Sequence, residues 1–565
     1  MNLNIVIGGE AGQGLKTLSN ILSKSFFKMG FNIYSSKDYM SRVRGGHNFM
    51  SIRIGDEELT GPTTDEDILL ALNEETIERH KDNLTDEGVI LYDGTTKDLD
   101  HDVLSIAAGD IAKEIGNSKV ANIVFVGALL KLLDLDLTKV KKLLKDYFAD
   151  KGAEIAKVNT EALEEGYQAV KSRFSLPEVE KEADEMLISG NQAVGLGAVT
   201  AGVKFYSAYP MTPSTGIMNY VASKENELGI VVEQAEDEIA AINMAIGASY
   251  SGVRSMTATS GGGFSLMNEG LGLAGITETP LVIAEVQRPG PATGLPTRTG
   301  QGDLSFVINA SQGEFPLMVI APRTAEDAFY QTMRAFNLAE NYQIPVIILS
   351  DTFLADSKQN ITELDVNKVG VESGFMSAEE AAEVDDYKRY ELTEDGVSPL
   401  AYPGQLDDDV VLVDSDEHDE YGHIIEDAET RNKMVEKRDA KLQKLAKEEL
   451  NEPEYIGPDK ADYLIISWGS TYGPALEAKK LLTADGLNAG VLSFNDLWPL
   501  PTEKIEEFAG EDSELIVVEN NYTAQFAKLL RAETGINAGT NILKYDGRPF
   551  TGAEIYTRIQ DEVIE

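Results

Sequence analysis

The 565-residue sequence contains no cysteine. That absence excludes disulfides, a thiolate nucleophile and an iron–sulfur cluster of the usual kind on this chain, since such clusters are held by cysteine thiolates. No run of about 18 apolar residues occurs, so no transmembrane helix is expected. The stretch MNLNIVIGG passes straight into a strand and its first basic residue is Lys16. A secretory signal opens on a basic region instead, so a cytoplasmic chain is expected. Basic charge is scarce: 49 Lys and Arg stand against 95 Asp and Glu, a formal net charge of −46. Such a surface disfavours nucleic acid and anionic membranes. The acids are spread along the chain rather than gathered in a tail, which points to adaptation to solvent, as in a halophile's cytosol, with an ordinary acidic protein as the alternative. In molar salt the Debye length falls to about 3 Å and self-repulsion is screened. No solenoid-type repeat is present.

Apolar residues at 42% and charged residues at 25% are those of a soluble globular protein, and the length calls for several cores. The pattern reads as a multidomain α/β chain: an α/β domain over 1–176, a second over 188–356, a loop-rich segment with a linking helix over 357–456, and a third α/β domain over 457–565. The charged run PEVEKEADEM (177–186) reads as a solvated linker.

In the first domain a buried strand at 3–8 leads through Gly8-Gly9-Glu10-Ala11-Gly12-Gln13-Gly14 into a helix over Leu15–Met29. A strand, a glycine turn and a helix form the general design for seating an anion on a helix N-terminus. The spacing departs from GxGxxG and no acidic residue is suitably placed at the end of the second strand, FNIYSS, so a nicotinamide site is not expected. Ser41-Arg42-Val43-Arg44-Gly45-Gly46-His47 combines cations and glycines suited to carboxylate or phosphate. A surface loop pairing with this chain's acids accounts for the same residues. Candidate anion contacts are Gly12, Gly14, Arg44, Gly45 and Gly46. Further strands are expected at 67–72 and 87–92, with helices at 74–84 and 137–147.

The second domain opens with a small-residue helix over 192–202 and a strand at 205–208, followed by Tyr209-Pro210-Met211-Thr212-Pro213-Ser214-Thr215. Thr212 thereby sits at the C-terminal end of a strand, where open α/β sheets bind ligands. The central stretch is Val231–Gly263. A short strand ends at Val231-Val232, and Asp237 and Glu238 open a helix with apolar Ile239, Ile242 and Ile246 at helical spacing. Acids at a helix start complement its dipole, which is a purely structural role. This helix is also packed with Ala and Gly, and a carboxyl at a crowded apolar junction tends to hold a proton to share. A strand at 255–259 then meets Ser260-Gly261-Gly262-Gly263, read as a tight turn beside a ligand. Strands at 281–286 and 345–350 and a helix at 325–340 complete the domain. Downstream lies Gln287-Arg288-Pro289-Gly290-Pro291-Ala292-Thr293-Gly294-Leu295-Pro296-Thr297-Arg298.

The YPMTPS turn, the EDEIAAI helix start and the QRPGPATGLPT loop together resemble the α subunit of the 2-oxoacid:ferredoxin oxidoreductases. The similar form is the one with the γ domain fused at its N-terminus, as in 2-oxoglutarate:ferredoxin oxidoreductase. The resemblance implies that Glu238 is the catalytic acid on the aminopyrimidine ring of thiamine diphosphate, the cofactor that carries the difficult chemistry. It implies that Pro210 and Gly262 line that cofactor and that Thr212 contacts the substrate carboxylate. Arginine's planar fork suits an oxoacid carboxylate, with Arg298 the first choice and Arg288 the second. Either can instead pair with Asp303 or Glu285. The GGEAGQG turn and the SRVRGGH loop resemble the family's γ domain, where coenzyme A contact is expected. Nothing here resembles the family's GDG-and-Asn diphosphate motif, which the family places with Mg²⁺ and the [4Fe-4S] cysteines on a β subunit. The resemblance therefore implies an (αβ)₂ assembly, with no metal ligand on this chain. The reaction implied is oxidative decarboxylation of a 2-oxoacid with coenzyme A to acyl-CoA, CO₂ and reduced ferredoxin. 2-Oxoglutarate is favoured over pyruvate and branched-chain or aromatic oxoacids. A non-oxidative thiamine enzyme and a non-catalytic scaffold are the alternatives.

Residues 385–404 and Glu417–His423 read as loops, and their His and carboxylates lack the spacing of a metal site. A charged helix over 427–450, with only Met434, Leu442 and Leu445 as a stripe, is expected to bridge domains or meet a partner. Strands at 463–468, 489–494 and 514–519, with helices at 474–482, 502–508 and 523–532, resemble the transketolase C-terminal domain.

Overall fold

Runs of β-branched residues alternating with small-residue helices build three sheets among the described residues. The computed structural model describes residues 1–41, 45–96, 99–149, 152–179, 185–406, 410–509 and 513–564. The chain divides into two units, one of residues 1–188 with 357–363, the other of 189–356 with 364–565.

The first unit starts with β1 (Asn2–Glu10), whose Ile5, Val6 and Ile7 are buried on both faces. The helix α1 (Leu15–Met29) follows with the bounds expected, closed by Gly30 at φ 106°, whose N–H bonds the carbonyls of Phe26 and Phe27. Next come β2 (Asn32–Asp38), β3 (His47–Gly55), β4 (Glu66–Ala71), α2 (Glu74–His80), β5 (Leu84–Tyr92) and β6 (Asp102–Ser105). The helices α3 (Ala108–Glu114), α4 (Ala121–Leu132), α5 (Thr138–Tyr147) and α6 (Ala153–Gln168) precede β7 (Met186–Ser189). The sheet order is β6-β5-β4-β1-β3-β2-β14-β7, where β14 (Lys358–Ile361) arrives much later in the chain. Helices α4 and α6 cross backbone to backbone: a Cβ on Gly127 would collide with the Leu163 carbonyl, and one on Gly166 with that of Val124.

The second unit holds α7 (Gly190–Thr200), β8 (Phe205–Ala208), α8 (Thr215–Ala222), α9 (Glu225–Leu228), β9 (Val231–Gln234), α10 (Glu238–Tyr250), β10 (Ser255–Thr259) and α11 (Gly261–Ile276). Then follow β11 (Leu281–Gln287), α12 (Leu304–Ile308), β12 (Met318–Ile320), α13 (Ala325–Tyr342), β13 (Pro345–Asp351) and α14 (Thr352–Asp356). Six parallel strands run in the order β12-β13-β11-β10-β8-β9. After the short α15 (Ala378–Ala382) comes α16 (Ala428–Glu448). The last part forms a sheet ordered β15-β17-β16-β19-β20. Its strands are β15 (Glu454–Ile456), β16 (Tyr463–Trp468), β17 (Ala489–Phe494), β19 (Glu514–Glu519) and β20 (Thr540–Leu543). Helices α17 (Tyr472–Ala484), α18 (Glu503–Ala509), α19 (Gln525–Thr534) and α20 (Gly552–Ile559) flank it. The strand β18 (Asp496–Trp498) instead pairs antiparallel with β12, and Asp496 accepts both Nη of Arg334 at 2.7 and 2.8 Å.

Two helices differ from expectation. In α10 the buried face is Glu238, Ala241, Ile242, Ala245, Ile246 and Ser249, while Ile239 is 52% exposed. Glu238 sits at the first helical position and points inward, which turns Ile239 outward by one step of about 100°. In α16 the buried residues are Met434, Lys437, Arg438, Lys441 and Leu445. Its stripe is charged and is neutralised from within the same unit. Lys437 donates to both oxygens of Glu278 at 2.7 and 3.0 Å, Lys441 pairs with the same carboxylate, and Arg438 binds Glu417 at 2.9 and 3.0 Å. The three cations Lys437, Lys441 and Arg389 hold the buried Glu278 carboxyl well below the usual carboxylate range against the opposing effect of burial. Helix α16 is thus fastened by ion pairs within its own unit.

Candidate active site at the carboxyl edge of the parallel sheet

The chain leaves β8, pairs β9 on one side of it, and returns through α10 to pair β10 on the other. The crevice where strand order reverses is where open α/β sheets bind ligands, beyond the carboxyl ends of the strands. Four segments converge on that edge: the 209–215 turn after β8, the start of α10 after β9, the start of α11 after β10, and the loop after β11.

Glu238 is 4% exposed, and its Oε1 has no hydrogen-bond partner. The capping duty falls to Asp237, whose side chain accepts from the Ala240 N–H at 2.8 Å. Glu238 is therefore not needed as a cap. Its carboxyl packs onto the first turn of α11: a Cβ on Gly263 would lie 2.5 Å from Glu238 Oε1 and closer still to Thr259 Oγ1. The glycines 261–263 are helical and not a tight turn as read from sequence. They serve to let side chains approach. A Cβ on Gly261 would lie 2.5 Å from Asp303 Oδ2, whereas one on Gly262 would meet only the Ala292 carbonyl at 3.8 Å. Gly262 presents an exposed, open face of the helix start.

Thr212 and Pro210 are half-buried in the turn after β8, and Tyr209 is 39% exposed. The turn is braced by Asn191, whose Nδ2 donates to the Pro213 carbonyl at 2.9 Å, and by Ser214, bonded to the Met211 carbonyl. Arg288 reaches this turn: its Nη1 donates to the Thr212 carbonyl at 2.6 Å. Arg298 has its Cβ beside Gly547 in the loop before α20. The structure thus brings Thr212 and Arg288 together.

Three carboxyls lie beneath this edge, Glu285 and Asp351 buried and Asp303 half-buried. Glu285 on β11 is fully buried and neither of its oxygens has a partner. It lies in register with Thr259 of β10 and Leu349 of β13. Burial, reinforced by Asp303 and Asp351, pushes its carboxyl well above the ordinary range. Burial likewise pushes Asp303 up to about 6, against the pull of Arg288. Asp351 is raised by burial, but it accepts from the N–H groups of Phe353 and Leu354 and from Thr299.

In the first unit, Gly12 (φ 98°) and Gly14 (φ 82°) adopt left-handed conformations before α1, as do Gly45 and Gly46 before β3. The register Glu10↔His47 brings the two loops to one end of the β1–β3 pair. Arg44 lies outside the described residues. Beside them runs a chain not foreseen from sequence: His47 Nε2 lies 2.9 Å from His80 Nε2, and His80 Nδ1 lies 2.7 Å from Glu66 Oε1. All three are buried, and burial with the neighbouring His80 lowers His47 to about 4. Among the described residues, no group of three or more His, Asp or Glu side chains is arranged to hold a metal ion, and no helix is long and apolar enough to cross a membrane.

Residues 196–437 match the family described as pyruvate flavodoxin/ferredoxin oxidoreductase, thiamine diphosphate-binding, and residues 4–169 match pyruvate ferredoxin/flavodoxin oxidoreductase. Residues 455–533 match the transketolase C-terminal domain. The alpha subunit of 2-oxoacid:ferredoxin oxidoreductase from a Sulfolobus species is 36% identical over 620 residues, covering 98% of this chain and 96% of that one. The chain belongs to the 2-oxoacid:ferredoxin oxidoreductase family. The 2-oxoglutarate synthase subunit KorA of Methanothermobacter thermautotrophicus is 35% identical over 383 residues, 66% of this chain and 98% of that one. Among solved structures, 2-oxoglutarate:ferredoxin oxidoreductase from Magnetococcus marinus, with 2-oxoglutarate, coenzyme A and succinyl-CoA bound, superposes with a TM-score of 0.92. It is 34% identical and covers 99% of both chains. The expected α/β multidomain fold and the alpha-type architecture with a fused N-terminal α/β domain both hold, and the chain is an oxidoreductase subunit of a thiamine diphosphate-dependent family.

Proposed function

We propose that this chain is the α subunit of a cytoplasmic complex that oxidatively decarboxylates a 2-oxoacid, with 2-oxoglutarate favoured, forming acyl-CoA and CO₂ and passing an electron pair to ferredoxin. The observation that carries this reading is the buried, unpartnered oxygen of Glu238 at the sheet's switch point, with Thr212 and Arg288 bonded to each other across the same crevice. A cap carboxylate would be occupied by backbone N–H groups. This one is free, and Asp237 does the capping.

These residues fit thiamine diphosphate. Glu238 would meet the aminopyrimidine ring and Gly262 would allow close approach, with Pro210 at the edge. When bound, the cofactor supplies the carbanion chemistry that decarboxylation of a 2-oxoacid requires. Glu238 holds or releases a proton at its free oxygen. Arg288 keeps four further N–H donors after binding the Thr212 carbonyl, enough for a bidentate grip on a carboxylate. Thr212 fixes where that grip is aimed. The two glycine loops of the first unit, with Arg44, are the proposed contacts for coenzyme A.

The chain has no cysteine, so the [4Fe-4S] cluster is assigned to a β subunit, together with Mg²⁺ and the diphosphate site, in an (αβ)₂ assembly. Ile239, Met244 and Leu266, on the α10 and α11 surfaces, are between 42% and 52% exposed, as suits a face completed by a partner. The relatives named for 2-oxoglutarate support that substrate; pyruvate and branched-chain or aromatic oxoacids are its competitors. The test is to copurify the chain with its partner and assay a panel of 2-oxoacids with coenzyme A and a viologen acceptor, alongside iron analysis. Viologen reduction fastest with 2-oxoglutarate is expected, with iron in the complex and none in the isolated chain. Decarboxylation without viologen reduction, by an iron-free complex, would instead identify a non-oxidative thiamine enzyme.

A further inference from the structure

Glu285 is the least explained charged side chain of the second unit. It lies in the apolar strand LVIAEVQ, fully buried, with both carboxyl oxygens unpartnered. It shares one face of β11 with Gln287, whose Oε1 accepts the Asp303 N–H at 3.0 Å and so fixes the Asp303 backbone above it. Asp303 in turn lies against the start of α11, where Gly261 makes room for its carboxyl. The charged groups acting on Glu285 are Asp303 and Asp351, which disfavour its ionisation, and Arg288, which favours it. The same two carboxyls, Glu285 and Asp303, are the charges felt by Arg288. Asp351 is bound by two backbone N–H groups and by Thr299, so its negative charge is already satisfied.

We propose that Glu285 and Asp303 are positioning residues that set how much of the Arg288 charge is available to an incoming substrate carboxylate. The inference rests on the oxoacid site proposed above. Its logic is a charge count. With Glu285 neutral and Asp303 ionised, Arg288 is balanced by one carboxylate and has N–H donors to spare. If Glu285 ionises as well, two carboxylates face one guanidinium, and a third, from the substrate, is repelled. The surroundings of Glu285 favour its neutral form: no donor stabilises its charged form, and two acids oppose it.

Both acids have raised folded-state pKa values, so each is neutral on its acid side and charged on its alkaline side. The apparent KM for the oxoacid should therefore rise in two limbs as pH rises, one near pH 6 as Asp303 ionises and a second as Glu285 ionises. Each limb should be about tenfold, since a neighbouring charge shifts an equilibrium by roughly one to three decades.

The experiment uses the assembled holo complex, measuring KM and kcat for 2-oxoglutarate from about pH 5.5 to 9.5 in wild type, Glu285→Gln, Asp303→Asn and Arg288→Ala. Glu285→Gln should lose the second limb, and Asp303→Asn the limb near pH 6, with kcat changed much less than KM. A merely structural role would lower stability or kcat and leave both limbs in place. Retention of both limbs in the two neutral variants, in an active complex whose Arg288→Ala form has a raised KM, overturns the charge-setting role and leaves the oxoacid site standing. An unchanged KM in Arg288→Ala overturns both. If Glu285→Gln does not fold, Asp303→Asn alone decides through its own limb.

Discussion

Gly263→Ala adds a single methyl group at the point where three segments meet. The new Cβ would lie 2.5 Å from Glu238 Oε1, 2.8 Å from Glu238 Cγ, and closer still to Thr259 Oγ1. Thr259 is fully buried at the end of β10 and β-branched, hence stiff at χ1. Both clashes must be relieved: the Thr259 hydroxyl or the helix backbone has to give slightly, and Glu238, with more rotatable bonds and a free oxygen, should move furthest. Overpacking of this kind costs about 1–3 kcal/mol, and the helix propensity of Ala over Gly returns about 1. The net loss of stability should be about 0–2 kcal/mol, small enough to leave the chain folded. Activity should respond far more, because a catalytic group displaced by about 1 Å loses on the order of 10²-fold in rate. Urea unfolding of the chain and turnover by the complex separate the two effects. Gly262→Ala is the control: its Cβ meets only one atom, at 3.8 Å, so the isolated chain should unfold as wild type does. In the complex, Gly262→Ala should weaken thiamine diphosphate binding. Wild-type turnover by a Gly263→Ala complex would refute the reasoning, since it would mean that Glu238 need not sit where the structure holds it.

Four further outcomes are expected. Glu238→Gln keeps the shape of the side chain and removes its proton, so hydrogen–deuterium exchange at the thiazolium C2 should slow by roughly 10²- to 10⁴-fold while Glu236→Gln leaves it unchanged; equal rates in Glu238→Gln and wild type would remove the residue from catalysis. Arg288→Ala should raise the oxoacid KM by roughly 10- to 150-fold, the worth of a charge-assisted bond at about 1.5–3 kcal/mol, and Arg298→Ala by much less; the reverse order would return the role to Arg298. Glu278→Gln leaves Lys437, Lys441 and Arg389 buried without their counter-charge and should cost about 3–5 kcal/mol in urea unfolding, so a loss under about 1 kcal/mol would contradict the ion-pair account of α16. His47, held at about 4 in the fold against 6.5 unfolded, contributes stability that is complete above pH 6.5 and lost as pH falls towards 4. His47→Gln should flatten that acid limb by about 1–2 kcal/mol, and an unchanged limb would assign it to other groups.

Much of the scaffold was legible because glycine and β-branched residues punctuate it. Helix α1 and strands β8, β10 and β16 have the bounds expected, each bordered by Gly, Pro or a sharp change of hydropathy. What was missed depends on contacts between distant segments. Helices α4 and α6 pack through Gly127 and Gly166 against each other's carbonyls, and a glycine used for close approach looks in sequence like a break. Strand β3, HNFMSIRIG, mixes polar and apolar residues because its first half borders loops and the buried histidine chain. From sequence, helix α16 reads as a helix that bridges domains or meets a partner, because lysines are normally exposed. Its lysines are buried because Glu278, far away in the sequence, neutralises them.

The site divides along the same line. Glu238 stood out in sequence because it opens a small-residue helix in a motif that resembles the family's; that Asp237 does the capping and leaves a Glu238 oxygen buried without a partner was not legible there. That Arg288 reaches the Thr212 turn was not legible from the loop it shares with Arg298, because it depends on the strand order. Arg288 follows β11 immediately, and β11, β10 and β8 are consecutive in the sheet, so a long side chain can cross one strand and reach the turn at Thr212. Ten residues on, the Arg298 Cβ lies beside Gly547. Glu285 showed in sequence only as a possible partner of the loop arginines, since one acid in LVIAEVQ does not disturb the strand pattern. Its significance comes only from what surrounds it: two acids, one arginine and no donor. A buried carboxyl without a partner costs folding energy. Keeping it at the carboxyl edge of β11, beside the arginine that reaches Thr212, is explained if its neutrality serves that arginine, and the two KM limbs measure whether it does.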